Sequence, residues 1–273
     1  MSVRVPATSA NLGPGFDVLG LALSLYVEVG VIGIDTQPEG ALEANDTHPA
    51  QIAFVRAGGT GRLWVKNDIP MGRGMGFSGA VRIAGVVAAE VQRDGTWHRS
   101  SSNALAIGTE LEGHADNVAP SLHGGIVITS ENMVVNVPLA LQPAFVMWIP
   151  DFTTSTNESR GKIGPTIPLE DAVFNIARTA MFVTALSSGD TSLLREATRD
   201  RIHQDIRLAA SPPCQVALDA GLAAGAWCGW LSGSGPTVAI MCDPSESVRI
   251  ARAMPADGRA MILELDLVGA VVS

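Results

Sequence analysis

Lysine is nearly absent from this sequence: Lys66 and Lys162 stand against sixteen arginines. A phosphate-binding mechanism built on a lysine has almost no residue to use. Cysteine is also scarce. Cys214, Cys228 and Cys242 are odd in number and show no C-x-x-C spacing, so neither a disulfide framework nor a structural zinc site is expected, and reduced thiols in a cytoplasmic compartment fit best. Charged residues make up only 16% of the chain, with a net charge of −9, a balance that argues against a general nucleic-acid surface. It leaves room for a phosphorylated small ligand held by a local loop. The N-terminus, Met-Ser-Val-Arg-Val-Pro, has no apolar h-region, so no secretory signal is expected. The most apolar long window, Cys214 to Leu231, contains Asp219 and many small residues, and reads as a buried helix and strand rather than a membrane span.

What is present is apolar and long enough to fold. Hydrophobic residues are 47% of 273, enough for one large domain or two modest ones. Glycine is concentrated in one stretch, Pro70-Met-Gly-Arg-Gly-Met-Gly-Phe-Ser-Gly-Ala-Val81, which opens into an alanine-rich run. A glycine-rich helix start presents unpaired N–H groups and the positive end of the helix dipole to an anion. Phosphate is the obvious ligand; a tight turn needing positive φ is the plain alternative. A Walker A loop fails, because Gly79 is followed by Ala80 and Val81 rather than Lys-Ser/Thr. The dinucleotide fingerprint matches as Gly74-Met-Gly76-Phe-Ser-Gly79, with Asp94 downstream. Pro70 and Met71 intervene after the preceding strand, and Asp94 precedes the helix stop at Gly95, so that fingerprint stands only as a rival.

Around this stretch the chain reads as alternating strands and helices. Val3-Arg-Val5 is β-like, Ala7 to Asp17 is loop-like, and Val18 to Val31 is an apolar segment. Residues 36–62 are polar and glycine-rich, with a short amphipathic piece at Ile52 to Arg56. Leu63 to Asn67 reads as a strand, Ser78 to Val91 as a helix stopped by Gly95, and Ser100 to Leu111 as a helix capped by one of three serines. A hairpin is expected across Ser130-Glu-Asn132, a junction at Pro138 to Pro143 and a strand at Ala144 to Ile149. Leu169 to Leu186 has helical spacing. Trp227 to Leu231 and Val238 to Met241 form a strand–turn–strand, followed by a helix from Pro244 to Met254 and a strand from Arg259 to Leu265.

Motifs spread along the chain resemble those of the GHMP kinases, and of the homoserine kinases among them. The glycine stretch resembles their phosphate loop, with Met75, Phe77 and Gly79 as departures. "PATSANLGPGFDVLGLAL" (residues 6–23) and "ELEGHADNVAP" (residues 110–120) are similar to homoserine kinase motifs, and "LSGSGPT" (residues 231–237) to the third GHMP motif. The resemblance implies an α+β GHMP kinase fold, with an N-terminal nucleotide-binding domain (1–140) and a C-terminal ferredoxin-like domain (141–273). It implies ATP-dependent phosphorylation of the L-homoserine side-chain hydroxyl, with Mg²⁺, no nucleic-acid or membrane partner, and often a homodimer. Another small-alcohol kinase of the superfamily, or a degenerate metabolite-binding member, remain as alternatives.

The same resemblance implies roles for individual residues. Pro70, Gly72, Arg73, Gly74, Met75, Gly76, Phe77, Ser78 and Gly79, with Gly233 and Ser234, would hold the nucleotide. Ser78 and Glu110 would hold the metal, with Glu112 replacing Glu110 if the helix is offset. Asn11, Asp17, His114, Asn117, Arg160 and Arg207 face the substrate. A carboxylate suits an α-ammonium group and a guanidinium suits a carboxylate. Asn117, Asp17 and Arg160 are the residues expected to act in catalysis. Asn117 stands where mevalonate kinases carry an aspartate, and an amide cannot take a proton as a general base, so no protein base is expected. Asp116 is adjacent and expected to point elsewhere. Phe77, replacing a small hydroxyl residue, could crowd the nucleotide.

Overall fold

The computed structural model describes residues 1–131, 133–154, 156–161 and 163–273. Asn132 of the expected hairpin turn, Ser155 of the polar run before Arg160, and Lys162 lie outside the described residues. In chain order the elements are β1 (Val3–Ala10), β2 (Leu19–Val31), β3 (Leu42–Glu43), α1 (Pro49–Arg56), β4 (Leu63–Asn67), α2 (Phe77–Asp94), α3 (Ala104–Glu112), α4 (Val118–His123), β5 (Ile126–Ser130), β6 (Met133–Asn136) and β7 (Ala144–Pro150). They continue with α5 (Thr156–Gly161), α6 (Leu169–Ser188), α7 (Leu194–Ala197), α8 (Gln204–Ala209), α9 (Pro212–Ala223), β8 (Cys228–Leu231), β9 (Val238–Cys242), α10 (Ser247–Ala253), β10 (Gly258–Glu264) and β11 (Val271–Val272).

Two sheets result. The first runs β11-β1-β2-β4-β3, and β5 pairs with β2 and carries β6. All its pairs are antiparallel. That excludes the dinucleotide rival, whose glycine loop belongs to a parallel βαβ crossover. The helix α2 lies across this sheet, with its alanines, Val81, Ile83, Val86 and Val87 buried, and packs against α1, α3 and α4. Gly95 ends it with φ +71 and an N–H bonded to the Val91 carbonyl. Two expectations shift. The strand β1 extends to Ala10, so only Asn11 onward is loop. The helix α3 begins at Ala104 after a 3-10 turn at Arg99–Ser101. Ser102 still takes the Ala104 N–H, and the buried carboxylate of Glu90 takes the Asn103 N–H, the Ser102 hydroxyl and the Trp97 indole.

The second sheet is β10-β7-β9-β8. With α9 packed on it in the crossover between β7 and β8, and α10 between β9 and β10, it has the ferredoxin-like arrangement expected. Its strands alternate. In β7, Val146 and Trp148 face a small cluster with α9 and α10, while Phe145, Met147 and Ile149 join the large core shared with β1, β2 and α2. Trp230 of β8 lies in that shared core, edge-on to Phe145 and Phe182, and donates to Ser9 Oγ at the end of β1. The chain's last strand, β11, returns to pair with β1 in the first sheet. The expected junction at 140/141 falls between β6 and β7.

Candidate active site

The two sheets meet along a cleft lined by residues of both halves of the chain. It is built by the β1–β2 loop, the glycine loop from β4 into α2, the α3–α4 junction, the β8–β9 turn, Thr154 of the β7–α5 loop, and residues from α5 and α8. The glycine loop is fixed from both halves of the molecule. Thr8 donates its N–H to the Met75 carbonyl, Ser232 Oγ donates to the Gly74 carbonyl at 2.6 Å, and the Thr237 N–H reaches the Arg73 carbonyl. Gly74 and Gly76 have φ of +72° and +68°. A side chain on Gly74 would run into the Ser232 carbonyl, and one on Gly76 into the Thr8 hydroxyl. These glycines are required by the close approach of the β8–β9 turn and β1 to the loop.

Most of the expected nucleotide residues line the cleft: Pro70, Gly72, Arg73, Gly74, Met75, Gly76, Phe77 and Ser78 do, and Gly233 and Ser234 join them from the β8–β9 turn. Gly79 lies beneath, packed under Asn117. Arg73 lines the cleft, but its guanidinium caps the end of β7, donating to the carbonyls of Pro150 and Asp151. The Phe77 ring stands edge-on to His48 at the start of α1, with centroids 6.1 Å apart.

The expected substrate residues also converge. Asn11, Asp17, His114, Asn117, Arg160 and Arg207 all line the cleft. Asp17 and Arg160 form a bidentate pair, with both N–O distances 2.7 Å, and the hydrogen bond to Asp17 raises the Arg160 pKa. Asn11 and Asp17 hold positive φ of 72° and 57°, a conformation that costs a non-glycine residue and is maintained by the bonds around it. Asn11 supplies two of those bonds: its Nδ2 donates to the Gly233 carbonyl, and its Oδ1 accepts the Asp17 N–H. Arg207, 5% exposed, donates to the Gly233 carbonyl and to His203 Nδ1. His203 Nε2–H then donates to the Gly13 carbonyl. Burial lowers the His203 pKa and keeps this bridge neutral.

The α3–α4 junction differs from expectation in two respects. Glu110 stands away from Ser78; its carboxylate is more than half exposed and pairs with Arg56 at 2.9 Å. Residues two apart on a helix lie about 200° apart around its axis, so only one of Glu110 and Glu112 can face α2. It is Glu112, which accepts the Ser78 hydroxyl at 2.8 Å. Asp116, expected to turn away from Asn117, lines the cleft beside it, and its buried carboxylate accepts from His114 Nδ1 at 2.6 Å. That hydrogen bond raises the His114 pKa. Asn117 Oδ1 accepts the Thr8 hydroxyl at 2.8 Å.

One oxygen pair thus matches the hydroxyl-plus-carboxylate donor set of a Mg²⁺ site. It does not fit an ion as it stands, because the Arg82 guanidinium is bonded to both Ser78 Oγ and Glu112 Oε2. Among the described residues no group of three His, Cys, Asp or Glu side chains could hold a metal ion. Sequence reasoning missed Arg82, Thr8, Ser9, Phe16 and His203. Arg82 sits one helical turn after Ser78, a spacing that was legible. The Phe16 ring, stacked on His203 and beneath the guanidinium groups of Arg160 and Arg207, and the buried Thr8 and Ser9 left no such signal.

The chain is similar to known proteins in sequence and in fold. The description "GHMP kinases N terminal domain" matches residues 46–125, and "GHMP kinases C terminal" matches residues 182–260. The homoserine kinase of Thermus thermophilus is 39% identical over 276 residues, covering 95% of this chain and 94% of the relative. That of Desulfitobacterium hafniense is 38% identical, with 99% of each chain covered. The crystal structure of homoserine kinase from Cytophaga hutchinsonii superposes with a TM-score of 0.86 at 26% identity, covering 100% of this chain and 97% of that one. The chain belongs to the homoserine kinase family, within the GHMP kinases.

Proposed function

We propose that this protein transfers the γ-phosphoryl group of ATP to the side-chain hydroxyl of L-homoserine, giving ADP and O-phospho-L-homoserine, a step toward threonine. The observation that carries the acceptor is the Asp17–Arg160 pair in the same cleft as the glycine loop. The head of an α-amino acid is itself an ammonium and a carboxylate. It can exchange with the pair, carboxylate to Arg160 and ammonium to Asp17, leaving no charge unpartnered. Arg207, fixed by His203 and the Gly233 carbonyl, adds a second cation on the acceptor side.

Phosphoryl transfer needs charge neutralisation and in-line positioning more than covalent help. The backbone N–H groups at the start of α2 provide the first for the nucleotide phosphates. Mg²⁺ enters with ATP as part of the nucleotide substrate. Asn117 positions the acceptor and does not take its proton, since its carbonyl oxygen is committed to Thr8. His114 has its Nδ1 engaged by the Asp116 carboxylate, a hydrogen bond that raises its pKa. The proton therefore leaves to phosphate or water.

ADP formation measured with L-homoserine, L-threonine, mevalonate, shikimate and no acceptor tests the reading. Turnover dependent on homoserine is expected. Turnover with mevalonate or shikimate, which carry no ammonium, would overturn the role of Asp17, and nucleotide binding without turnover would favour a metabolite-binding protein. The same reading includes a homodimer, for which Leu169, Val173 and Ile176 form an exposed apolar stripe on α6; the mass in solution tests it. It also includes a reducing cytoplasm, supported by three buried, free cysteines. No helix among the described residues is long and apolar enough to cross a membrane.

A further inference from the structure

We propose that Arg82 is a resident cation of the nucleotide site, holding the protein-side position of a divalent metal ion, so that nucleotide affinity in this protein does not depend on protein-bound Mg²⁺. The inference deepens the ATP-binding reading above and rests on it.

The placement follows from the helix. Ser78 and Arg82 are four residues apart on α2, and a side chain at that spacing leans back toward the N-terminus over the earlier one. The last residue of α3, Glu112, is packed against the same turn. Arg82 Nη1 contacts both the Ser78 hydroxyl and the Glu112 carboxylate, and Ser78 itself donates to that carboxylate. The Arg82 side chain is 20% exposed and that of Glu112 is 13% exposed, so solvent screens the pair weakly. Burial lowers the Arg82 pKa, but an arginine stays charged across the working range.

Three consequences follow for a divalent ion. Glu112 is already neutralised, so the negative charge that would draw the ion in is cancelled. Ser78 Oγ and Glu112 Oε2 already accept from Arg82, so both ligating oxygens are engaged. An ion seated on them would also sit beside a fixed positive charge in a poorly screened place. An ion that displaced Arg82 from Glu112 would leave a largely buried guanidinium without its carboxylate. The Arg82 Nε–H is buried without a partner in the structure, a donor that an added anion could satisfy. Ser78 and Glu112 line the cleft, so the guanidinium lies immediately behind the wall that a nucleotide phosphate would face.

The experiment compares binding of a non-hydrolysable ATP analogue, by calorimetry, in Mg²⁺ and in EDTA, for the wild-type chain, Arg82→Met and Arg82→Lys. Binding of Mn²⁺ to each protein–nucleotide complex is followed by electron paramagnetic resonance. Wild-type affinity is expected to change by less than about threefold when the metal is withdrawn, and that of Arg82→Met to fall by more than about tenfold. The Mn²⁺ affinity of the Arg82→Met complex should exceed that of the wild type, and Arg82→Lys, which keeps the charge, should restore metal-independent binding. A wild-type affinity that collapses in EDTA overturns the proposal, whether or not Arg82→Met folds. Equal metal dependence in all three proteins overturns it too, while leaving the ATP-binding reading intact. Absence of nucleotide binding by the wild type in either condition overturns both.

Discussion

Each charged group in the cleft has a specific partner, and the partner sets its chemistry. Asp17 holds Arg160 in a bidentate fork. Arg160→Ala should raise KM for homoserine by about ten- to a hundredfold, one lost charge-assisted contact or slightly more, with a much smaller change in KM for ATP. Steady-state kinetics in both substrates separates the two. Arg160→Lys should recover only part, since an ammonium cannot reproduce the fork. His114 gives a pH signature. Its pKa is raised, first by the hydrogen bond to Asp116, so its stabilisation is complete below the ordinary histidine value of about 6.5. It is lost as pH rises through the raised folded-state value. His203 acts with the opposite sign: burial depresses its pKa, so its contribution is present above that ordinary value and lost as pH falls through the depressed one. Asp116→Asn should flatten the alkaline part of a Tm-against-pH curve and leave the acid part. The same variant should keep measurable turnover; loss of turnover with homoserine affinity intact would make Asp116 a proton acceptor.

Elements position these groups by their ends. The cleft collects the start of α2, the end of α3, the start of α4 and the tip of the β8–β9 hairpin, where backbone groups lack intrahelical partners. The glycine loop survives between them only because Gly74 and Gly76 carry no side chain. Gly76→Ala, with a positive φ and a collision with Thr8, should destabilise the fold by at least about 1–2 kcal/mol and impair nucleotide binding. Gly79→Ala is its internal control. That position is helical, and an added Cβ would meet its nearest neighbour, Asn117, at 3.4 Å. It should be neutral or stabilise by up to about 1 kcal/mol, as alanine is the better helix former. Thermal unfolding of the two variants distinguishes a close-approach requirement from mere loop flexibility. At this scale most elements were legible from period and punctuation. The α2 stop at Gly95, the strand at Leu63–Asn67 and the β8–β9 hairpin carry their signals within a few residues of sequence. The starts of α3 and of the first loop were less so, because Glu90, more than ten residues before Asn103, fixes one, and pairing of Ala10 with Gly20 on β2 extends the other strand.

Across the molecule, the two sheets share one apolar core. Phe145, Met147, Phe182 and Trp230 from the second half pack with Val5, Leu12 and Leu21 from the first, and β11 ties the chain's last residues back to β1. Unfolding by denaturant should therefore be a single transition, with tryptophan fluorescence and far-ultraviolet dichroism coinciding. Two separated transitions would show that the halves are stable independently. The cleft lies on the seam of this shared core, so residues far apart in sequence, such as Asn11 and Gly233 or Arg73 and Pro150, meet there through hydrogen bonds.

The sequence by itself determined the family, the phosphate loop and the identity of most groups facing the cleft. Its motifs are local: glycines at fixed spacing, Asn11 and Asp17 in one loop, His114 and Asn117 in another. Local backbone geometry follows from such short-range patterns. Only the tertiary structure decided which of Glu110 and Glu112 faces Ser78, because that depends on the rotation of α3 against α2. Only it showed that Asp17 and Arg160, 143 residues apart, neutralise one another, and that Arg82 stands between the Ser78 and Glu112 oxygens. A charge pair across two helices depends on their packing angle and distance, and no run of residues on either helix encodes that alone.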